Sequence, residues 1–397
     1  MAMHNILRKE QVQGRIASYR VCFLFPSLAR GAYWQPVLTE FAKRFPLTVV
    51  LTGLWEGFVT QYQNGFTVKV IGRTGFLRLP FWKQEGYYPA GLVRVPISRL
   101  FRELWRIRPH LIWCSGFSLW TLVATVYKRI YGGKLVVIYE GSSPSIDRKG
   151  SRFHTLWRRS LAAKADAFIT NTSAGQSYLV KVLGIPTKKV FVHPYEVPDI
   201  NLWKEHFTKL KQVADGVVFL TVGQIIERKG LRQLIEATKQ LFDSAPGDNW
   251  SVLIAGDGPL KGELEKRVQI YGLKNRVKFL GFVKYEELGR VLSSAHVFVF
   301  PTLEDVWGVA PLEAMAVGKP VLCSKYAGVS ELVEDGVNGW VFDPHNPKEL
   351  AELMKRFLDN PALISAMGEN AQRKMEAFTP EAAAEFLGRV AIWVTAQ

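Results

Sequence analysis

The chain has 397 residues, of which 48% are hydrophobic, enough for about two or three domains with buried cores. It carries 51 Lys and Arg against 35 Asp and Glu, a formal net charge of +16. The first twenty residues lack a signal-peptide core and the longest uncharged run, residues 111–127, falls short of a spanning helix, so we expect a cytoplasmic protein.

The positive charge is concentrated in the first half of the chain. Residues 1–200 hold 28 Lys and Arg and 10 Asp and Glu, a net charge of +18, whereas the remaining residues hold 23 and 25, a net charge of −2. This asymmetry favours an anionic partner for the first half: a phospholipid surface, a phosphorylated acceptor or nucleic acid. The alternative is that the basic surface only aids solubility.

Short β-branched and aromatic runs alternate with helical patterns in both halves, which predicts parallel sheets joined by crossover helices. The first half contains VCFLFPSL, LTVVLTG, FTVKVIG, HLIWCSG, KLVVIYEG, AFITNTS and KVFVHPY, and the second contains VVFLTVG, SVLIAGDG, VKFLGFV, VFVFPT, KPVLCSK and GWVFDP. The predicted fold is therefore α/β, with two doubly wound, Rossmann-like domains facing across a cleft that gathers the carboxyl ends of both sheets.

The domain boundaries follow from breaks in this pattern. Proline and polar residues in YEVPDINLWKEHF separate a domain of residues 1–198 from a second of residues 199–378. Thr379 as N-cap and Pro380 at the first helical position then open a terminal helix, residues 379–397, which can pack back on the first domain.

A basic amphipathic helix is predicted within PISRLFRELWRIRPH, residues 96–110. Ile97, Leu100, Phe101 and Leu104 share one face, and Arg99, Arg102, Arg106 and Arg108 surround it. With the aromatic and cationic segment GFLRLPFWKQEGYYP upstream, this pattern is typical of contact with an anionic membrane. The alternative is a helix that packs on the sheet with a charged outer face.

A basic pair follows the first predicted strand of the second domain, in VGQIIERKG. Arg228 and Lys229 precede Gly230 and a helix with one largely apolar face, formed by Leu231, Leu234, Ile235, Thr238, Leu241 and Phe242. The guanidinium and the ammonium are suited to neutralise a diphosphate as it leaves a sugar. An ordinary solvated pair is the alternative.

Two carboxylates flank a glycine turn in EDVWGVAPLEAM, residues 304–315. A strand ends at Thr302, Gly308 permits a tight turn, and Pro311 suits the start of a helix whose free amides favour an anion. Asp305 lies before those amides, and Glu313 is predicted in the first helical turn. Each carboxylate is placed to accept hydrogen bonds from sugar hydroxyls. Alternatively, Glu313 complements the helix dipole and Asp305 shapes the loop.

The cysteine and histidine spacings argue against a metal site. Cys22, Cys114 and Cys323 fall in predicted strands without a CxxC pair, which favours buried thiols in a reducing cytoplasm. The seven histidines show no HxxxH or HExxH spacing, so no metal ligand is expected.

Taken together, the second half resembles glycosyltransferase family four, the retaining nucleotide-sugar transferases with the GT-B fold. The matching stretches are VGQIIERKG, IAGDGPLKGELEKRVQIYGLKNRVKFLGFV, VFVFPTLEDVWGVAPLEAMAVGKPVLCS and GVSELVEDGVNGWVF, in the family's order. The first half agrees more loosely, in KADAFITNTSAGQSYLVKVLGIPTKKVFVHPY and PSLARGAYW. The resemblance implies that residues 1–198 bind the acceptor and residues 199–378 bind the nucleotide-sugar donor.

The resemblance also implies roles for particular residues. Asp305 and Glu313 match a pair of family glutamates, the first contacting the transferred sugar and the second the ribose; here the first is a shorter acid. The remaining implied donor-binding groups are the amides of Gly308, Val309 and Ala310, the phosphate-binding Lys229 and Arg228, and the backbone near Gly281 and Phe282 at the base. Gly31 lets the backbone approach the donor phosphates closely, or it belongs to a plain turn. Gln224 stands where the family usually has an arginine, so Arg228 is the substitute.

A further departure from the family lies in the first domain, where Glu140 replaces a common histidine. As a carboxylate it can orient the acceptor hydroxyl or accept its proton, or it can cap the following SSPS loop. The implied mechanism retains the anomeric configuration, with a diphosphate oxygen helping to remove the acceptor proton. The nucleotide-sugar is a co-substrate, and no cofactor or metal is expected.

The implied function is transfer of a sugar to a glycan or lipid-linked acceptor in envelope polysaccharide or glycolipid synthesis, with peripheral contact to the inner face of the cell membrane. A basic nucleic-acid-binding protein is an alternative, although no recognition motif for nucleic acid is found. An oxidoreductase is disfavoured because GDGPLKG, residues 256–262, has GxGxxxG spacing rather than GxGxxG. An epimerase or phosphorylase could use the same fold.

Overall fold

The computed structural model describes residues 17–28, 33–72, 76–77, 87–88, 92–206 and 216–397. The chain divides into two compact units. The first comprises Met1–Val197 together with Pro380–Gln397, and the second comprises Pro198–Thr379.

The first unit is built on a seven-stranded sheet with the order β3-β2-β1-β6-β7-β8-β9, in which every neighbouring pair is parallel. A separate antiparallel pair, β4 with β5, was not predicted. The strands are β1 Val21–Phe25, β2 Thr48–Thr52, β3 Thr67–Val70, β4 Phe76–Leu77, β5 Leu92–Val93, β6 Leu111–Ser115, β7 Lys134–Ile138, β8 Ala167–Thr170 and β9 Val190–Val192. All seven predicted strands of this half are therefore confirmed.

The helices of the first unit are the crossovers that the alternating pattern predicted. They are α1 Trp34–Arg44, α2 Ile97–Ile107, α3 Leu119–Tyr131, α4 Pro144–Asp147, α5 Arg152–Ala162 and α6 Ser173–Ser177, the last followed by a π-helical turn, Tyr178–Val182. Side chains fix two of the starts: Ser151 accepts from the His154 amide, and Thr172 accepts from the Gly175 amide.

The predicted apolar face of α2 is only partly correct. Leu100 and Leu104 are fully buried in the core and Phe101 packs against it. Ile97 was expected on the same face, but it lies exposed in the first turn of the helix. One turn further on, Leu100 and Leu104 supply the sheet contact that holds α2.

The second unit repeats the scheme with a six-stranded, wholly parallel sheet of order β12-β11-β10-β13-β14-β15. Its strands are β10 Val217–Val222, β11 Trp250–Ala255, β12 Val277–Gly281, β13 Val297–Phe300, β14 Val321–Ser324 and β15 Gly339–Phe342. Its helices are α7 Leu231–Ser244, α8 Lys261–Ile270, α9 Leu288–Ser293, α10 Val309–Ala316, α11 Pro347–Asp359 and α12 Ala362–Met375. The six strands predicted for this half are confirmed, and apolar clusters cover both faces of the sheet.

A terminal helix, α13 Pro380–Thr395, completes the first unit rather than the second. The ring of Phe386 stacks on His193 at 5.0 Å, and Trp393 meets Phe191 edge-on at 5.1 Å. The prediction that this helix begins at Pro380 is correct.

The three cysteines lie in β1, β6 and β14, buried and unpaired, as their apolar surroundings predicted. Burial raises the pKa of each thiol above its ordinary value. Across the described ranges, no helix combines the length and hydropathy needed to cross a bilayer.

Gly230 is required where the loop after β10 turns into α7. Its φ is +65°, and a Cβ there would lie 1.9 Å from the carbonyl oxygen of Pro301, a backbone atom that has little room to move. Gly262, near the start of α8, has nothing within 4 Å of the same position. The two glycines therefore offer a matched comparison.

We expect Gly230→Ala to lower the free energy of unfolding by about 2 kcal/mol or more, because strain and a backbone clash combine. Gly262→Ala, in an open helical position, is expected to be neutral or stabilising by up to about 1 kcal/mol. Thermal and urea unfolding of both variants measures the difference. Equal effects from the two substitutions would show that the Pro301 contact does not constrain the loop.

Candidate active site in the second unit

The predicted site residues of the second unit come from loops that leave neighbouring strands. β10 and β13 are adjacent in the sheet, and the strand order reverses between them. Residues 223–230 follow the carboxyl end of β10, and residues 301–308 follow that of β13. Parallel α/β sheets bind their ligands at such a reversal, outside the carboxyl ends of the two strands.

Backbone hydrogen bonds hold these two loops together. The carbonyl oxygen of Arg228 accepts from the amide of Leu303 at 2.8 Å and from the hydroxyl of Thr302 at 2.9 Å. The second loop is held in turn by residues that follow β14, since the Asp305 amide donates to the Tyr326 carbonyl at 3.0 Å. Asp305 is thus fixed on both sides by main-chain contacts.

The basic pair and the loop carboxylate form one ion cluster. Oδ2 of Asp305 lies 2.8 Å from Nη1 of Arg228 and 2.7 Å from Nζ of Lys229. Nη1 of Arg228 also donates to the carbonyl of Glu304 at 2.8 Å, and the ammonium of Lys229 lies 4.9 Å from the ring centre of Phe300. Two cations and one anion leave a formal charge of +1 in a largely buried place.

Burial and charge act in opposite directions within this cluster. Burial raises the pKa of Asp305, but Lys229 and Arg228 together outweigh it and hold the pKa below its ordinary value. Burial also lowers the pKa of Lys229, an effect that the Asp305 carboxylate only partly opposes. The carboxylate form of Asp305 is therefore favoured by its two neighbours.

The second predicted carboxylate, Glu313, lies on α10 but not where the sequence placed it. The helix begins at Val309, so Glu313 is its fifth residue and belongs to the second turn, not the first. Its side chain is buried, and burial raises the pKa of Glu313 to about 7, with the Tyr285 hydroxyl opposing the rise. A carboxyl with this pKa can act as donor or acceptor near neutral pH.

The predicted amide site lies at the start of the same helix. Gly308 is its N-cap with φ +104°, and a Cβ there would lie 2.9 Å from the Phe300 ring. Val309 and Ala310 are its first two helical residues, whose amides have no acceptor within a helix. This geometry supplies positive potential beside the loop of Asp305.

The residues predicted near a nucleotide base lie at the end of β12. Gly281 has φ +75°, and its carbonyl accepts from the Gly256 amide at 2.7 Å. The neighbouring Phe282 side chain is 77% exposed, which is unusual for a large aromatic ring and leaves its face open to stacking.

In the first unit, Glu140 follows β7 by two residues and lies beside a buried polar group. Its carbonyl accepts from the Asn171 amide at 3.3 Å. Burial raises the pKa of Tyr195 well above its ordinary value, and the nearby carboxylates of Glu196 and Glu140 add to this. Gly31, predicted near the donor phosphates, lies outside the described residues.

Several residues of these sites carried no recognisable signal in the sequence. Glu196 is buried and accepts from Nε1 of Trp34 at 3.1 Å and from Nδ2 of Asn171 at 3.3 Å. Asp147, the last residue of α4, accepts from the hydroxyls of Tyr139 and of Ser142, the first residue of the SSPS loop. The partners of Glu196 are distant in sequence, and Asp147 is hidden among ordinary polar residues, so neither spacing nor periodicity pointed to them.

Among the side chains with described positions, no group of three His, Cys, Asp or Glu residues is arranged to hold a metal ion.

Two glycosyltransferase family profiles cover most of the chain. The profile described as glycosyl transferases group 1 matches residues 204–374, and the profile of the glycosyl transferase 4-like domain matches residues 31–196. The chain belongs to the group 1 glycosyltransferases. It is therefore an enzyme.

Curated relatives of this glycosyltransferase are similar over much of their length. The putative colanic acid biosynthesis glycosyltransferase WcaL of Salmonella typhimurium is 29% identical over 392 residues, 94% of this chain and 82% of that protein. The alpha-D-kanosaminyltransferase of Streptomyces kanamyceticus is 29% identical over 290 residues, 69% of this chain and 73% of that protein.

A solved structure has the same fold. HepE of Anabaena, crystallised with UDP, matches with a TM-score of 0.74 and 22% identity over 94% of this chain and 100% of its own. The same protein has also been solved with UDP-glucose. The predicted GT-B fold class, two parallel sheets with flanking helices, is confirmed.

The raised pKa of Glu313 predicts how the stability of the fold depends on pH. Because the folded pKa is about 7 and the ordinary value is 4.5, the folded state binds the proton more tightly. Its contribution is fully present below pH 4.5 and is lost as the pH rises through 7. Glu313→Gln should therefore stabilise the glycosyltransferase above pH 7 by about 1–3 kcal/mol, and leave it unchanged or slightly less stable below pH 4.5.

Thermal unfolding of wild type and Glu313→Gln across this pH range provides the measurement. Glu286→Gln, at an exposed position of the same unit, is the control. It should leave the thermal stability unchanged at both low and high pH. A Glu313→Gln profile parallel to that of wild type would show that the carboxyl does not titrate in this range.

The ion cluster makes a second prediction. Asp305→Asn removes the anion that Arg228 and Lys229 share, so we expect destabilisation by about 3–5 kcal/mol. Inorganic pyrophosphate can then replace the lost charge and should bind the variant about tenfold or more tightly than it binds wild type. Thermal shift against pyrophosphate concentration reports both effects.

Asp343→Asn serves as the control, because Asp343 pairs with Lys325 at 2.7 Å on the surface of the same unit. That substitution should cost no more than about 1 kcal/mol and leave pyrophosphate affinity unchanged. If pyrophosphate bound wild type and Asp305→Asn equally, the two cations would not form an anion site that Asp305 occupies.

Proposed function

We propose that this glycosyltransferase transfers a sugar from a nucleoside diphosphate donor to a hydroxyl of a glycan or lipid-linked acceptor, with retention of the anomeric configuration. The ion cluster of Arg228, Lys229 and Asp305 at the strand reversal of the second sheet carries the proposal. A relative named for colanic acid biosynthesis supports a role in envelope polysaccharide or glycolipid synthesis.

The donor diphosphate binds at the positive end of the site. Arg228 and Lys229 pair with its oxygens, and the amides of Gly308, Val309 and Ala310 complete the contact at the helix start. The structure of HepE with UDP-glucose supports a uridine nucleotide as the first donor to test. Gly281 and Phe282 hold the base, and Glu313 holds the ribose.

The diphosphate replaces Asp305 as the partner of the two cations. Displaced from Nη1 of Arg228 and Nζ of Lys229, the carboxylate becomes available to hydroxyls of the transferred sugar, which is attached to the same phosphate. As the bond to the anomeric carbon breaks, negative charge grows on the leaving diphosphate. The two cations stabilise that charge more than they stabilise the bound donor, which lowers the barrier.

The acceptor hydroxyl attacks from the face on which the diphosphate leaves, and a diphosphate oxygen helps to take its proton. Glu140 orients that hydroxyl from the first unit, where its carboxylate lies near Tyr195 and Glu196. The cations and the helix amides supply the charge stabilisation for which other transferases use a divalent ion, so neither a metal nor another cofactor is required.

A nucleotide-sugar panel tests this proposal. UDP-glucose, GDP-mannose and ADP-glucose are compared by thermal shift, where a ligand at about 100 times its Kd stabilises by about 2.7 kcal/mol. The best donor is then used in transfer assays with glycan and lipid-linked acceptors. NMR of the product gives its anomeric configuration, and EDTA is expected to leave turnover unchanged.

Arg228→Gln should reduce kcat/KM for transfer by about a hundredfold or more, because a charge-assisted contact to the leaving group is lost. Arg232→Gln is the matched control, since Arg232 lies on α7 and pairs with Glu263 at 2.6 Å and with Glu227. Equal activity of the two variants would refute the role of Arg228. If the donor were consumed without an acceptor and gave an epimer or a sugar phosphate, the result would indicate epimerase or phosphorylase activity instead of transfer.

A further inference from the structure

One side of the first sheet is covered by a layer of helices that share a single core. Leu100 and Leu104 of α2, Trp120 and Val123 of α3, and Ala162 of α5 all belong to one buried apolar cluster with the strands. Helices α2, α3 and α5 therefore lie on the same side of the sheet. Their outward-facing residues are called here the three-helix surface.

Large apolar side chains stand on this surface instead of turning inward. They are Ile97, Trp105, Val126, Ile130, Tyr131, Phe153 and Leu156. Phe153 and Leu156, in the first two turns of α5, are 64% and 65% exposed. Single exposed apolar residues are ordinary, but seven on one helical layer mark an interaction surface.

The same three helices are strongly basic. Within their described ranges, α2 carries Arg99, Arg102 and Arg106, α3 carries Lys128 and Arg129, and α5 carries Arg152, Arg158 and Arg159. Glu103 is the one acid on these helices, where it pairs with Arg106 at 2.8 Å and with Lys69 at 3.3 Å. Lys128 pairs with Asp166 at 2.7 Å, and Arg158 donates inward to the Tyr178 hydroxyl at 2.7 Å. The excess charge at the surface is therefore carried mostly by the other arginines.

A basic groove lies at one margin of the three-helix surface. It has a volume of about 540 Å³ and is lined by Lys69, Val70, Arg99, Arg102, Glu103 and Arg106, between edge strand β3 and α2. Arginine forks bind phosphate oxygens in pairs, and a groove of this size admits a phosphate headgroup.

We propose that the three-helix surface docks on an anionic phospholipid bilayer, with Phe153 and Leu156 entering the interface and the arginines contacting lipid phosphates. The inference rests on the proposed function, because a lipid-linked acceptor must be reached at a membrane. Exposed apolar side chains among arginines match the apolar interior and negative headgroups of such a bilayer. A nucleic acid would use the arginines but offers nothing to bury Leu156 or Ile130.

Co-sedimentation with vesicles tests the docking surface. The full chain is mixed with vesicles of phosphatidylcholine and with vesicles containing phosphatidylglycerol at about one lipid in four. Wild type should bind the anionic vesicles at least about tenfold more tightly, and added salt should weaken that binding. Phe153→Ser with Leu156→Ser should weaken partition by about tenfold or more, without changing the charge.

Ile270→Ser with Val337→Ser is the matched control, because both residues are exposed in the second unit, Ile270 at 79%. This control is expected to bind vesicles like wild type. Arg152→Gln with Arg159→Gln should reduce the preference for anionic over neutral vesicles. Inorganic phosphate should compete only weakly, since it lacks an apolar part.

The proposal is overturned if the Phe153 and Leu156 variant binds vesicles as tightly as wild type. It is also overturned if double-stranded RNA binds more tightly than anionic vesicles and is insensitive to those substitutions. Transfer to a water-soluble acceptor separates the two proposals. A variant that loses vesicle binding but keeps this transfer supports docking, whereas normal docking without any transfer refutes only the proposed function.

Discussion

Two cations share a single carboxylate oxygen beside the ends of β10 and β13, in a place that is largely closed to water. Taking these charges out of water is costly, and a buried ion pair rarely stabilises a fold more than apolar residues of the same volume would. Arg228, Lys229 and Asp305 are therefore poorly explained as a device for stability. We interpret them as an anion-binding site that the Asp305 carboxylate fills until a ligand replaces it. Main-chain contacts of the two loops fix the position of this site.

The sheet order determines which residues can take part in that site. Asp305 lies 77 positions from Arg228 along the chain, and their loops meet because β10 and β13 are neighbours. The β-branched runs predicted every strand of both sheets, and the glycine, proline and charge pattern identified the loop residues. Neither kind of pattern encodes strand order, so the direct pairing of Asp305 with both cations could not be read from the sequence.

Other differences between prediction and structure have similar local causes. The helix α10 starts at Val309, earlier than the start at Pro311 that the loop pattern suggested, and this places Glu313 in the second turn, where it is buried with Tyr285 nearby. Ile97 has helical spacing but stands in the first turn of α2, beyond the edge of the core. Periodicity locates the face of a helix well and its ends poorly. Whether a residue at a helix end is buried depends on neighbouring elements of the fold, and the periodicity of the helix carries no information about those elements.

The first unit is closed by residues from both ends of its sequence. β9 and α13 meet through Phe191, His193, Phe386 and Trp393, although the whole second unit lies between them in the chain. A ribosome releases residues in order, so the aromatic partners of β9 emerge after the second unit has been synthesised. Until then, the side of the first unit that receives α13 is uncovered, and during synthesis the second unit can complete its core before the first.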